Sequence, residues 1–401
     1  MKYIVMLGDG MADYPVKELG DKTPLQVARK PAIDHLAEGA ELGMVKTVPD
    51  TLKPGSDVAN LAVMGYNPLE CYTGRSPLEA VSIGIDMSDT DVAFRCNLVT
   101  LSDEADYAQK TMVDYSSDEI SSAEAAQLIA AVNEAFQNDE LLFYPGISYR
   151  HCMIWHNGKT GLNLTPPHDI SDRKVTEYLP EHPMILDMMK RSYDVLKNHP
   201  VNLSRMARGL HPANSIWLWG EGTKPGVSNF KEMHGVNGSV ISAVDLIKGI
   251  GICAGMKVIE VEGATGNVNT NFAGKAQAAI DTLLKDGQDF VYIHVEAPDE
   301  CGHRGEIENK VKSIELIDSQ IVAPLLAALK EAGEDYAILV MPDHPTPLAI
   351  KTHISDPIPY LLYSSRDVKE SGITTYTEET CKSTGVYVAQ GYTLMDQLLG
   401  K

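Results

Sequence analysis

Asp and His side chains gather in three late segments of this chain and meet one more Asp, with a serine, near its start. The late segments read His294-Val295-Glu296-Ala297-Pro298-Asp299-Glu300-Cys301-Gly302-His303, then Met341-Pro342-Asp343-His344, then Lys351-Thr352-His353. The early ones are Leu7-Gly8-Asp9-Gly10 and Pro54-Gly55-Ser56-Asp57. Carboxylate oxygen and imidazole nitrogen are the ligands that suit Mn²⁺, Zn²⁺ and Mg²⁺. A serine among them is a candidate nucleophile, activated by a bound cation. Taken singly, each residue has a plainer reading: a packed or surface histidine, or a turn-forming Asp before Gly. Their conjunction beside apolar, β-branched runs argues for one site, a two-metal centre acting on a phosphate ester.

The spacing says how such a site could be built. Asp299 and His303 lie four residues apart, so a helix starting after the preceding strand turns both side chains to one ion. Asp343 and His344 are adjacent, and in a turn beyond a strand they can splay toward two ions. Ser56 is expected at the N-cap of a helix over 57–64, whose first N–H groups could meet a phosphoryl oxygen.

The elements that must position these residues follow an α/β rhythm. Residues 3–7 form an apolar run ending in Gly-Asp-Gly, as in a buried parallel strand followed by a tight turn. After a helix near 31–38, the texture changes at about 90–210. There strands are expected at 92–101, 107–113 and 150–156, and helices at 117–136 and 184–197. A strand at 214–219 begins the next series: helix 239–249, strand 257–261, helix 274–286, strand 290–295, helix 308–332, strand 336–341 and strand 359–363. This alternation predicts a parallel-rich sheet with helices on both faces. Since Asp9 and Ser56 must meet Asp299 and His344, the core is expected to be discontinuous, 1–88 with 211–401. Residues 89–210 are then an inserted smaller α+β domain, a mobile cap that binds substrate.

Composition narrows the partners. A net charge of −21 over 401 residues argues against nucleic acid and anionic membranes. It leaves room for an anionic substrate, because metals and arginines can reverse the field locally. The inserted region supplies Arg95, Arg150, Arg173, Arg205 and Arg208, with His151 and Asp169 as polar neighbours. From these, Arg150, His151, Arg95, Asp169 and Arg205 are the expected substrate-binding residues, since the planar guanidinium fork suits a carboxylate. The six cysteines are scattered with no CxxC pair, which fits reduced thiols in the cytoplasm. The chain opens directly on a strand and holds no apolar run of about 18 residues, so neither signal peptide nor membrane span is expected. Monomer and homo-oligomer stay open.

Longer motifs carry a family resemblance. They include Gly8-Asp9-Gly10-Met11-Ala12-Asp13, Pro54-Gly55-Ser56-Asp57, Tyr72-Thr73-Gly74-Arg75-Ser76-Pro77-Leu78-Glu79-Ala80, Phe94-Arg95-Cys96-Asn97, Tyr149-Arg150-His151, Pro166-Pro167-His168-Asp169 and Pro212-Ala213-Asn214. With the late Asp/His segments they resemble the archaeal-type cofactor-independent phosphoglycerate mutases of the alkaline phosphatase superfamily, almost end to end. The resemblance implies one ion held by Asp299, His303 and His353. It implies a second held by Asp9, Ser56, Asp343 and His344, with Ser56 the phosphorylated nucleophile. The implied ions are Mn²⁺ foremost, with Zn²⁺ or Mg²⁺ as alternatives. The implied reaction interconverts 3-phosphoglycerate and 2-phosphoglycerate, a step of glycolysis and gluconeogenesis. Asp343-His344-Pro345-Thr346-Pro347-Leu348 and Val295-Glu296-Ala297-Pro298-Asp299-Glu300 also resemble a branch proposed to act as homoserine kinase. Asn237 stands where relatives often carry lysine. A homoserine kinase-like phosphotransferase is therefore the alternative, and a plain phosphomonoesterase a third reading. No P-loop is present for a kinase to use.

Overall fold

The computed structural model describes all of residues 1–401. The chain divides into two compact units, Met1–Tyr72 with Gly226–Lys401, and Thr73–Pro225.

The first unit is built on an eight-stranded sheet. Its strand order is Tyr387–Val388, Glu41–Val45, Ile358–Ser364, Tyr336–Met341, Lys2–Gly8, Phe290–Val295, Gly238–Ile241 and Lys257–Ile259. The five strands from Tyr336–Met341 to Lys257–Ile259 run parallel. Ile358–Ser364 is antiparallel to both its neighbours. The central strands are apolar throughout because helices cover both faces, and Phe290–Val295 is buried at every position. On one face Ile4, Met6, Ile293 and Val340 pack with Leu36, Ala276, Ala279, Ile317 and Leu325 from the helices. No helix is long and apolar enough to cross a membrane.

Two expected elements of this unit differ. The segment read as a helix over 239–249 is the strand Gly238–Ile241 followed by the helix Asp245–Cys253. Val240 and Ile241 are β-branched and pair with Tyr292 and Ile293, so the sheet claims them before the helix can begin. The single helix expected over 308–332 is Ile307–Leu316 and Ala323–Glu331, joined through a π-helical turn at Ile317–Val322. In that turn Asp318 accepts the backbone N–H of Ile33 at 2.7 Å. The helix Pro31–Glu38 gets no side-chain cap from Lys30, so the turn supplies the missing acceptor. The edge strand Tyr387–Val388 and its neighbour Glu41–Val45 had no clear alternation in the sequence.

The second unit has a five-stranded antiparallel sheet of Met112–Asp114, Val92–Leu101, Arg150–Trp155, Leu141–Tyr144 and Ser215–Thr223. Phe94, Leu98 and Trp217 from it pack with Leu128, Ile129, Val132 and Met189 from the helices Ser122–Phe136 and Pro183–Leu196. The strand expected at 107–113 is a turn at Tyr107–Gln109 and the short strand Met112–Asp114. The helix expected from 117 begins only at Ser122. Ser117, Asp118 and Glu119 are left-handed, at φ 51, 53 and 49°, and Ser121 caps the helix through the N–H of Glu124.

One buried ion pair fastens the first unit's functional edge. Lys310 Nζ, on the helix Ile307–Leu316, donates to Asp13 Oδ2 at 2.7 Å and to Thr346 O at 2.8 Å. Both charged side chains are at most 1% exposed. Replacing only the cation strands a carboxylate in the interior. Lys310→Met is expected to lower stability by about 3–5 kcal/mol. Urea unfolding of the variant beside Lys310→Met/Asp13→Leu checks it, since the paired replacement should recover much of the loss.

Candidate metal centre and nucleophile

The strands Lys2–Gly8, Phe290–Val295 and Tyr336–Met341 are parallel neighbours, so their C-terminal ends meet on one edge of the sheet. Asp9 follows the first, Asp299 the second and Asp343 the third. An open parallel sheet presents its chemistry on that edge. The chain then reverses into Ile358–Ser364, and the connecting loop carries His344, Thr346 and His353 over the same edge.

Asp299 lies in the helix Ala297–Arg304, and the four-residue spacing brings His303 Nε2 to 3.2 Å from its Oδ2. His353 Nε2 stands 3.3 Å from Asp299 Oδ1 and 2.9 Å from His303 Nε2. His344 Nε2 lies 3.3 Å from Asp343 Oδ2 and 3.6 Å from Asp9 Oδ1. Ligand atoms of Asp299, His344 and His353 fall within 4.8 Å of one another, as do those of Asp9, Asp343 and His344. Adjacent Asp343 and His344 thus face one focus, and His344 belongs to both.

Ser56 Oγ lies 3.2 Å from His344 Nε2. Its place corrects the expectation of an N-cap: Gly55 is the N-cap, in extended conformation, and Ser56 is the first helical residue of Ser56–Val63. The serine hydroxyl turns to the cluster and leaves the helix end without a side-chain cap. Gly10 shows how tightly the site is drawn. At φ 60° it donates its N–H to Asp343 Oδ1 at 3.1 Å. A Cβ there would lie 2.6 Å from Thr346 Oγ1 and 2.7 Å from Asp299 Oδ1, so only glycine fits.

The electrostatics are those of a cation site. Asp9, Asp299 and Asp343 are 1, 5 and 0% exposed. Burial, and then the carboxylates of Asp343 and Asp299, push the Asp9 carboxyl well above its ordinary range. Burial also opposes ionisation of Asp299, but hydrogen bonds from His303 and His353 hold that carboxyl well below the usual range. The same Asp299 contact raises His303 to about 9. Asp9 Oδ1 is buried without any hydrogen-bond partner. An orphaned buried carboxylate oxygen among like charges fits a divalent ion, and a hard oxygen-and-nitrogen donor set suits Mn²⁺, Zn²⁺ or Mg²⁺. Cys301 stays outside the donor set, buried, with burial raising its thiol to about 11.

Two supporting groups were not singled out from the sequence. His294 Nε2 donates to Asp9 Oδ2 at 2.9 Å, while its Nδ1 meets Ser242 Oγ at 3.2 Å. Burial lowers this ring to about 3, so it is neutral, and the carboxylate acceptor fixes its tautomer. A lone histidine inside the apolar strand Phe290–Val295 was the available signal. Thr346 Oγ1 donates to Asp299 Oδ1, and only the folded loop reveals it.

In the second unit, Arg95, Asn97, Tyr115, Tyr149, Arg150, His168 and Trp219 line a cavity of about 240 Å³. Arg95 forms two hydrogen bonds to Glu79, at 2.8 and 2.9 Å, and stacks on Trp219. Arg150 has no carboxylate partner and lies over Tyr149. The other expected substrate residues are elsewhere. His151 is buried behind the strand edge, its Nδ1 accepting the Gly146 N–H and its Nε2 unpartnered. Asp169 faces solvent beside His168. Arg205 is buried and lies outside that cavity, donating to Glu124, Ser117 O and His211 O.

Fold and cluster together define an α/β protein with a buried carboxylate–imidazole centre at the C-terminal edge of its sheet. A model of the family described as 2,3-bisphosphoglycerate-independent phosphoglycerate mutase matches residues 37–202. A Geobacter sulfurreducens protein named as a probable 2,3-bisphosphoglycerate-independent phosphoglycerate mutase is 50% identical and covered in full by this chain. A Methanosarcina barkeri protein of the same name, without "probable", is 50% identical over 95% of each chain. The solved structure of the PH0037 protein from Pyrococcus horikoshii superposes with TM-score 0.82 at 29% identity, over 100% of this chain and 98% of that one. The cofactor-independent phosphoglycerate mutase of Thermoplasma acidophilum shares the fold, with TM-score 0.67 at 23% identity, over 100% and 99%. The chain belongs to the 2,3-bisphosphoglycerate-independent phosphoglycerate mutase family, a family of isomerases.

Burial beside Asp343 and Asp299 makes an ionised Asp9 costly to the metal-free protein. Asp9→Asn should therefore stabilise the metal-free form by about 1–2 kcal/mol while sharply weakening Mn²⁺ binding. Thermal unfolding and metal titration of the same preparation check both halves; a variant that keeps wild-type Mn²⁺ affinity would remove Asp9 from the centre.

Proposed function

We propose that this chain interconverts 3-phosphoglycerate and 2-phosphoglycerate without 2,3-bisphosphoglycerate, through a phosphoserine at Ser56 and with two divalent ions, Mn²⁺ the best suited. The observation that supports this most is the hydroxyl of Ser56 set 3.2 Å from His344 Nε2, which itself lies 3.6 Å from the unpartnered Asp9 Oδ1. Asp9, Ser56, Asp343 and His344 would hold one ion, and Asp299, His303 and His353 the other. When bound, the ions supply positive charge that makes a serine hydroxyl a nucleophile at neutral pH and offsets charge on phosphoryl oxygens.

The chain's own residues do the rest. Ser56 Oγ gives up its proton and attacks phosphorus, its bond to phosphorus forms, the bond from phosphorus to the 3-oxygen breaks, and the 3-oxygen takes up a proton, leaving glycerate. Glycerate reorients, its 2-oxygen takes the phosphoryl group back, and Ser56 is restored. The positive end of the Ser56–Val63 helix favours the phosphoryl group on its first residue. Between the two transfers glycerate must be retained and water kept out, or the enzyme becomes a phosphatase. The cavity of Thr73–Pro225 is suited to that retention. Two arginines line it: Arg95 is paired with Glu79, and Arg150 has no carboxylate partner. The second unit is thus the candidate substrate-binding cap, with Arg150 and Arg95 holding the substrate carboxylate.

The test is a coupled mutase assay with 3-phosphoglycerate and Mn²⁺, before and after chelation, run beside homoserine with ATP. Turnover of homoserine alone would overturn the reading. Ser56→Ala should keep the fold and lower mutase turnover by more than about a thousandfold, with no acid-stable phosphate on the protein. Arg150→Ala should lower mutase kcat/KM by about 10–100-fold and spare slow hydrolysis of a generic phosphate ester. Equal loss of both activities would assign Arg150 to the phosphoryl chemistry or to the fold.

A further inference from the structure

Ser56 and Asp343 come from parts of the chain far apart in sequence, and one buried amide joins them. Asn60 sits one helical turn after Ser56 and is 0% exposed. Its Nδ2 donates to Ser56 O and to Asp343 Oδ2, each at 2.8 Å. Its Oδ1 accepts the Tyr292 hydroxyl at 2.6 Å. Both N–H bonds and the carbonyl are therefore in use. The orientation of the amide follows from its neighbours: a flipped amide would set its oxygen against a carboxylate and a carbonyl, and leave its N–H groups against a phenol. Tyr292, from the central strand Phe290–Val295, is itself 0% exposed and makes this hydrogen bond from within the sheet.

The arrangement divides the work of the Asp343 carboxylate. Oδ1 takes the N–H of Gly10 at 3.1 Å and that of His344 at 2.9 Å. Oδ2 takes one donor, Asn60, and faces His344 Nε2 at 3.3 Å. One bond from Asn60 thus fixes the carboxylate plane and leaves Oδ2 lone-pair capacity toward the cluster. The other bond fixes the carbonyl of the serine residue, on a helix whose first turn has no side-chain cap. Nothing in mere packing requires asparagine here: the neighbouring helical positions Val58, Ala59, Leu61 and Ala62 are apolar and equally buried.

We propose that Asn60 and Tyr292 are positioning residues for the phosphoryl transfer: Tyr292 orients the Asn60 amide, and Asn60 sets the separation between Ser56 and the Asp343 carboxylate. This rests on the reading of Ser56 as nucleophile and Asp343 as a metal ligand. Supporting partners of metal ligands of this kind are worth about 10–100-fold in metal affinity or activity.

The experiment titrates Mn²⁺ into metal-free wild type, Tyr292→Phe, Asn60→Leu and the double variant, and records the unfolding temperature of each metal-free protein. Tyr292→Phe removes one hydroxyl and Asn60→Leu keeps the volume without the polar atoms. Each should weaken Mn²⁺ binding by about 10–100-fold, and the double variant should be no weaker than Asn60→Leu, because Tyr292 acts through Asn60. Unfolding temperatures that fall while Mn²⁺ affinity stays at the wild-type value would show a structural role only and overturn the proposal. Losses that multiply in the double variant would also overturn it, since the two residues would then act separately. Should Asn60→Leu fail to fold, the Mn²⁺ affinity of Tyr292→Phe alone decides. Wild type that binds no Mn²⁺ would sink the metal-centre reading itself, a result distinct from the failure of this one.

Discussion

Asp9, Asp299 and Asp343 are brought together where water can scarcely reach, and the architecture of the first unit is arranged around that fact. Two unit charges about 4–5 Å apart repel by roughly 3–4 kcal/mol at an effective protein dielectric. The fold contains this by giving each carboxylate a different set of neighbours. Asp299 leans on two imidazoles and Thr346, and its carboxyl stays acidic. Asp343 is held by backbone N–H groups and Asn60. Asp9 has only neutral His294 and keeps an oxygen with no partner. The least satisfied carboxylate thus shares His344 Nε2 with the serine hydroxyl, at 3.6 and 3.2 Å.

The overall negative charge of the chain and the anionic substrate of its family are reconciled by commitment of side chains. Most arginines in the second unit are spent on structure. Arg205 and Arg208 share Glu124, and Arg191 pairs with Asp187. Arg150 keeps its guanidinium uncommitted to any carboxylate in a cavity walled by Tyr115, Tyr149, His168 and Trp219.

Much of this was legible in the sequence, for identifiable reasons. Strands at 3–7, 290–295 and 336–341 announce themselves as unbroken apolar runs because helices cover them on both faces. The residues that chemistry selects by type, such as Asp9, Asp299, His303, Asp343, His344 and His353, could be found by type. Ser56 was singled out as a candidate nucleophile, but it was placed at the N-cap, the position that Gly55 takes. The helix over 239–249 was misread because Gly238–Ile241 is too short to show a period, and neighbouring strands decide its state. Supporting residues were hidden for a different reason. Asn60, Tyr292, His294 and Thr346 do nothing by type alone; their roles exist only in the distances that folding creates. The arginines of the inserted region show the same limit, since residue type cannot tell Arg205, locked to Glu124, from Arg150.

The reversal of the chain at Ile358–Ser364 has a topological consequence. A parallel successor to Tyr336–Met341 would have needed a crossover that takes the backbone away from the functional edge. An antiparallel one lets a single loop leave and return on that edge, delivering Asp343 and His344 on its way out and His353 on its way back. Ligand atoms of His344 and His353, near the two ends of that loop, come within 4.8 Å of one another beside Asp299, so the stretch between them is a loop closed at its neck, its two stems held side by side on the functional edge.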